Sequence, residues 1–363
     1  MTAVPDPAAT IPAIVLCDGK FAHADGKTAH GLVRHSELYD IQAVIDATLA
    51  GRDAGEVLDG RPCGIPIVAD LESALAAARR APKILILGVA TDGGRIPPDY
   101  FPVLERAIRA KLDVMSGLHE ELNDQPRLVA LAKERGVTLT DVRRAPAKRD
   151  LHFFTGKIEE VTCPVIAVLG TDSAIGKRTT ARLLVKRLNE RGAKAVFVGT
   201  GQTGRMQGGR YGIILDSIIN DFVTGEIEHA VHEAWKHEKP DIIVVEGQGA
   251  LTHPAYPGGF EIIAGARVRG IVLQHAPGRK TLDGFPQYPM PDLGREIQLL
   301  ELLSLSPVIA ITLNHENLDK AGVEAWKARL AKEHGKPVTD PLWDGADALV
   351  EAVAQTYGID VKR

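Results

Sequence analysis

The stretch that decides the fold is PVIAVLGTDSAIGKRTTARLLVKRLNERG, residues 164–192. Its first seven residues are uncharged and largely branched, as in a buried strand. Its end is amphipathic: Ala181, Leu184, Val185 and Leu188 recur at helical spacing and predict one face packed on a sheet. Gly192 stops that helix after Arg191. Between strand and helix, Gly170 and Gly176 enclose Thr171, Asp172, Ser173, Ala174 and Ile175, and Lys177 opens the helix. Glycines let backbone N–H groups turn inward, the helix N-terminus adds about half a positive charge, and Lys177 adds a full one. The expected ligand is a di- or triphosphate edge in a Walker-A-like loop with one extra residue.

Two departures narrow the ligand. Where such a loop places a Ser or Thr hydroxyl on magnesium, this chain has Arg178, a cation that repels the metal. Thr179 or Thr180 could replace that hydroxyl only with a shifted register. Asp172 lies inside the loop, either to bond loop amides or to face a substrate amine. The loop therefore suits a phosphate handle whose phosphorus is not activated, such as the diphosphate of coenzyme A, better than Mg·ATP awaiting cleavage. The first reading needs no metal; the second needs Mg²⁺.

The rest of the chain sets bounds on that reading. It has 363 residues, 45% of them hydrophobic and 25% charged, with a formal net charge of −4. That is the composition of an ordinary globular protein with two or three domains. Its mild acidity gives no global attraction to nucleic acid or anionic membrane, so phosphate binding must be local. Cys17, Cys63 and Cys163 are too dispersed for a disulfide framework or a zinc site, which suits a reducing cytoplasm. The start, MTAVPDPAATIPAIVL, lacks the basic region of a signal peptide, and no uncharged apolar run reaches the roughly 18 residues of a membrane span. The expectation is a cytoplasmic protein that binds small molecules and forms a homo-oligomer.

Strands and helices alternate along the chain. Strands are predicted at 11–17, 64–69, 83–90, 111–117 and 136–142, then at 164–170, 194–200, 241–247, 268–276 and 307–314. Leu71, Ala74, Leu75 and Ala78 mark one helix, and Phe101, Leu104 and Ile108 another. Further helices are expected at 212–228, 321–334 and 345–357. Residues 143–163 are basic and without period, which places a boundary between domains at 1–150 and 151–363. The fold class is α/β, with two doubly wound parallel-sheet domains. In the first, LGVATDGGRIPPDY (87–100) follows a strand, but its glycines do not spell the GxGxxG of a nicotinamide site.

Ligands of such sheets gather at the carboxyl ends of strands. One such end is VVEGQGALTHP, residues 244–254. Glu246 and His253 are alternative general bases there, Gln248 is a donor, and the amides near Gly247 and Gly249 could meet a developing oxyanion. A structural carboxylate and a turn histidine remain the plainer alternatives. Another end is VGTGQTGRMQGGRYG, residues 198–212, with Thr200, Gln202 and Thr203 as polar contacts and Arg205 and Arg210 as clamps for a carboxylate. Asn314, in ITLNHEN (311–317), could read an adenine amino group or form a simple turn.

GTDSAIGKRTT taken together with VVEGQGALTHPAYPG resembles a bacterial and archaeal family described as a domain of unknown function, whose members include D-glutamate N-acetyltransferases of the DgcN type. The second half is also similar, more distantly, to dethiobiotin synthetase. The resemblance implies a Rossmann-like N-terminal domain, a C-terminal P-loop domain, and acetyl transfer from acetyl-CoA to the amine of D-glutamate. An ATP-dependent ligase or small-molecule kinase that uses Lys177, Thr179 and Mg²⁺ is the alternative, and a nucleotide-binding regulator without turnover is a third.

Overall fold

The computed structural model describes residues 10–362. The chain divides into two compact units. Among the described residues, the first comprises 10–145 together with Gln202–Gly208, and the second 146–201 and 209–362.

In the first unit the elements run β1 (Ile11–Leu16), α1 (Lys27–Arg34), β2 (Tyr39–Ile45), α2 (Ala54–Asp59), β3 (Ile67–Val68), α3 (Leu71–Ala77), β4 (Ile84–Leu87), α4 (Phe101–Arg109), β5 (Asp113–Ser116), α5 (Pro126–Arg135) and β6 (Leu139–Asp141). The strands pair in the order β3-β2-β1-β4-β5-β6, all parallel. The chain thus winds outward from β1 in both directions, the doubly wound order. Ile14, Leu16, Leu85 and Leu87 are fully buried, as expected of central strands covered on both faces.

The second unit continues with β7 (Val165–Gly170), α6 (Lys177–Glu190), β8 (Ala195–Gly199), α7 (Gln202–Met206), β9 (Tyr211–Gly212), α8 (Asn220–Glu238), β10 (Ile242–Glu246), α9 (Gly259–Ala266) and β11 (Gly270–His275). A hairpin follows, β12 (Thr281–Leu282) and β13 (Phe285–Pro289), then α10 (Leu293–Ser304), β14 (Val308–Leu313), α11 (Lys320–His334), β15 (Val338–Thr339) and α12 (Asp347–Tyr357). Its seven strands pair in the order β15-β14-β11-β7-β10-β8-β9. These ladders are parallel as well. Central β7 lies between β10 and β11, so the loop after β7 meets the ends of both neighbours.

The structure differs from the sequence reading in places. Strand β2 was not predicted, because Asp40 and Gln42 interrupt its apolar run; Gln42 is nevertheless buried, donating to Asp40 O and accepting from Arg80 N. The helix expected from 212 begins at Asn220, after a single 3₁₀ turn at Leu215–Ser217. Helix α7 lies in sequence between β8 and β9 but belongs to the first unit, where Met206 joins the core and Gln207 Nε2 donates to Gly31 O and His35 O. Among the described residues no helix is long and apolar enough to cross a membrane, and no His/Cys/Asp/Glu group could hold a metal.

Candidate active site

The loop after β7 is anchored by its carbonyls. Lys177 Nζ donates to Asp172 O at 2.6 Å, Arg279 Nη1 to Ser173 O at 3.0 Å, Arg279 Nη2 to Ala174 O at 3.4 Å, and Asn314 Nδ2 to Ile175 O at 3.0 Å. Four consecutive carbonyls therefore face protein donors. In a trans peptide the C=O of one residue and the N–H of the next point in opposite directions. The amides of Ala174, Ile175 and Gly176 consequently point away from those donors, and they meet no protein acceptor among the described residues. This row of amides leads into the first turn of α6 and forms an anion-binding nest. Ala174 holds it at φ 51°, a left-handed conformation that costs a non-glycine residue strain.

Asp172 has no exposed side-chain surface and is spent on building the loop. It accepts from Ser173 N at 2.7 Å, from Arg279 Nη1 at 2.8 Å and from Asp283 N at 3.0 Å. Of its two readings, bonding loop amides or facing a substrate amine, these contacts match the first. Arg279, which the sequence reading missed, also pairs with Glu316 at 2.7 Å and so ties the segment after β11 to the loop and to the segment after β14. The only signal for it was one Arg after Gly278 at a strand end.

Other loop residues are also committed to structure. Thr171 N donates to Gln274 O, and its hydroxyl bonds His275 Nδ1 at 2.9 Å. Burial lowers the His275 pKa to about 4, so this partner is neutral. Ser173 Oγ donates to Asp283 at 3.0 Å. Thr180 Oγ1 donates to Gln274 Oε1 at 2.5 Å, which removes it as a substitute magnesium ligand. Thr179 and Arg178 are half-buried on the first turn of α6. For Asn314, read as an adenine contact or a simple turn, the amide nitrogen holds Ile175 O while the oxygen accepts from Glu316 N.

At the neighbouring strand end, Glu246 is 4% exposed. Its Oε2 accepts from Thr200 N at 3.0 Å, and Gly201 N donates to the same carboxyl. Thr200 Oγ1 donates to Glu246 O at 2.9 Å and accepts from Gln248 Nε2 at 3.1 Å. Burial raises the Glu246 pKa above the ordinary carboxylate value, opposed by the charge of Arg178, the Thr200 amide and the charge of Arg182. Arg182 itself is packed over the Phe197 ring at 4.5 Å. Gly247 must be glycine, since a Cβ there would stand 2.2 Å from Val168 O and 3.1 Å from Lys177 Cδ. That closeness joins the ends of β10 and β7 into one site. Gly249, at φ 50°, turns the chain where Tyr256 O would meet a Cβ.

His253 is buried, and its Nδ1 accepts from Ala255 N and Tyr256 N, each at 3.1 Å. Burial lowers its pKa, and because Nδ1 is the acceptor, a neutral ring holds its proton on Nε2. Nε2 lies 3.5 Å from Asp172 Oδ1 and has no hydrogen-bond partner. With Nδ1 accepting two amides, His253 presents a donor at Nε2.

Arg210 is exposed, stacks on Tyr211, and pairs at 2.7 Å with Glu238, which also pairs with Lys194 at the amino end of β8. Gln202, Thr203 and Arg205 belong to the first unit, where Thr203 Oγ1 bonds Thr28 Oγ1 at 3.2 Å and Arg205 is exposed.

Fold and site together define a two-unit α/β protein with a P-loop and a buried carboxyl beside it. Residues 152–350 match the P-loop domain of a family described as a domain of unknown function, DUF1611, and residues 47–145 match that family's Rossmann-like domain. The chain belongs to the DUF1611 family. It is 33% identical over 290 residues to a D-glutamate N-acetyltransferase of Tritonibacter scottomollicae, covering 78% of this chain and 84% of that one. It is 30% identical over 280 residues to a protein of the same name from a Pseudoalteromonas species, covering 76% of this chain and 82% of that one. The crystal structure of a DUF1611 family protein from Anabaena variabilis is 34% identical, with a TM-score of 0.86, covering 95% of this chain and 100% of that one.

Proposed function

We propose that this protein transfers the acetyl group of acetyl-CoA to the amine of an acidic amino acid, D-glutamate first among them, and releases the N-acetyl amino acid and free coenzyme A. The N-acetyltransferase class is supported by two relatives of that name, each aligned over more than four-fifths of its length. The observation that carries the finer reading is the pairing of an inward row of amides with a buried carboxyl, with Arg178 where a magnesium-binding hydroxyl would stand.

Arg178 puts a fixed positive charge into the field of Glu246, the place where a P-loop enzyme that cleaves ATP needs its metal. The amides of Ala174 to Gly176 and the Lys177 ammonium hold the donor's diphosphate as a handle. Glu246 takes a proton from the substrate ammonium, which its raised pKa suits. The freed amine nitrogen attacks the thioester carbonyl carbon, and the C–S bond breaks as the thiolate leaves. The second amine proton is lost as the amide forms, and the thiolate recovers a proton. Gln248, fixed by Thr200, supplies a donor near the oxyanion. The charges of Arg178 and Arg182 favour an acceptor rich in carboxylates. Partners are small molecules, with no nucleic acid or membrane among them.

Thiol release from acetyl-CoA against a panel of D- and L-amino acids tests this reading. Release with D-glutamate well above L-glutamate and neutral amino acids is expected. Absence of release with every amine overturns it.

A further inference from the structure

We propose that the indole of Trp343 is the shelf on which the purine of the acetyl donor's nucleotide stacks. The proposal rests on the acetyl-CoA reading and adds a contact to it at the outer end of the same ligand. Trp343 is 40% exposed although it follows a buried strand end. One face is covered: the His315 ring lies parallel to it, with centroids 4.0 Å apart and planes 9° apart.

Asp340, 1% exposed, fixes both rings. Its Oδ2 accepts from His315 Nδ1 at 2.6 Å, while its Oδ1 accepts from Leu342 N at 3.0 Å and Trp343 N at 3.3 Å. A single buried carboxylate thus sets the ring behind the indole and the backbone that carries it. Rigid, half-covered aromatic surface of this kind offers stacking at little further cost in order.

The shelf shares a frame with the phosphate loop. His315 directly follows Asn314, which holds Ile175 O of the loop. Glu316 is bound by Arg279, which also holds the carbonyls of Ser173 and Ala174. The segments bearing His315 and Trp343 leave the carboxyl ends of β14 and β15, on the same edge of the sheet as the loop after β7. A ligand anchored there by its diphosphate, with a flat base one sugar away, matches this pairing of donors and aromatic surface. Stacking on one side chain is tolerant of base identity, so the diphosphate does the anchoring and Trp343 adds affinity.

Steady-state kinetics of Trp343→Ala and Trp343→Phe test the shelf, with acetyl-CoA and with S-acetylpantetheine, a donor that lacks the nucleotide. The expected result is a KM for acetyl-CoA raised about tenfold or more in Trp343→Ala, kcat retained, near recovery in Trp343→Phe, and equal kcat/KM of the three proteins with S-acetylpantetheine. Calorimetry with adenosine 3′,5′-bisphosphate should show the same loss in Trp343→Ala. An unchanged KM for acetyl-CoA in Trp343→Ala overturns the shelf while leaving the transferase reading intact. A loss equal for both donors also overturns it, since it marks a purely structural role. If the wild-type protein transfers nothing but the bisphosphate binds and weakens in Trp343→Ala, the shelf stands and the transferase reading falls.

Discussion

The chain contains two strand–turn–helix corners that begin alike and end differently. After β1, Gly26-Lys27-Thr28 opens α1; after β7, Gly176-Lys177-Arg178 opens α6. The first spells the better phosphate motif, yet its corner is filled with protein. Phe21 is fully buried in the turn, its N–H donates to Asp46 at 3.0 Å, and its carbonyl bonds His30 at 2.7 Å. Helix α1 sits directly on the sheet, with Ala29 N donating to Gly88 O at 2.8 Å. Burial and the carboxylates of Asp46, Asp25 and Asp18 push the Cys17 thiol far above its ordinary pKa. In the second corner the loop is held from outside by Arg279 and Asn314, and its amides face inward. The lesson is that a phosphate cradle depends on where the loop carbonyls are anchored more than on a Gly-Lys pair.

The largest effect should come from Glu246→Gln. It keeps an acceptor for Thr200 N but removes the proposed base, so kcat should fall about 10²- to 10⁴-fold. In the wild-type protein kcat/KM should rise with pH through the raised Glu246 pKa. The sign for stability is opposite. A carboxyl whose folded pKa is raised stabilises fully below its unfolded value and loses that contribution as pH rises through the folded value. Glu246→Gln should therefore melt above wild type at neutral pH, with the difference closing in acid; equal melting at both would show that the carboxyl is not strained by burial.

Arg279→Ala should act next, on the anchoring itself. It removes charged donors from two loop carbonyls and leaves Asp172 buried without its cation. The Kd for acetyl-CoA should rise about tenfold, the worth of one lost hydrogen bond to a charged group. A Kd within twofold of wild type would remove Arg279 from the account of the cradle. Phe21→Ala should have the smallest effect on turnover. It should cost roughly 3–5 kcal/mol of stability by leaving a cavity, seen in chemical denaturation, while the KM for acetyl-CoA stays as it was. A changed KM would mean that the filled corner takes part in donor binding.

The central strands of both sheets were legible because each is a short, uncharged, branched run that repeats with helical segments between. The phosphate loop was legible for the same local reason: strand, glycines, lysine and amphipathic face lie within thirty consecutive residues. Its support was not. Arg279 and Asn314 lie more than a hundred residues from the carbonyls they hold, and the strand-end position that marked Asn314 does not say which atoms it meets. His253 shows a subtler gap. The sequence supplies an imidazole, but only the two backbone amides on Nδ1 decide which nitrogen carries the proton. The sequence marks Arg210 as a cation in a glycine-rich loop, but its pairing with Glu238, from the far end of α8, is a contact that only the fold shows.

The account rests most heavily on a metal-independent grip around Lys177, and calorimetric titration of acetyl-CoA tests it directly, in EDTA and in Mg²⁺, for wild type, Lys177→Ala and Lys27→Ala. The predicted result is equal affinity with and without magnesium, a loss of roughly thirtyfold to a thousandfold in Lys177→Ala, and no change in Lys27→Ala. Binding that requires magnesium, or that survives Lys177→Ala unaltered, would contradict it.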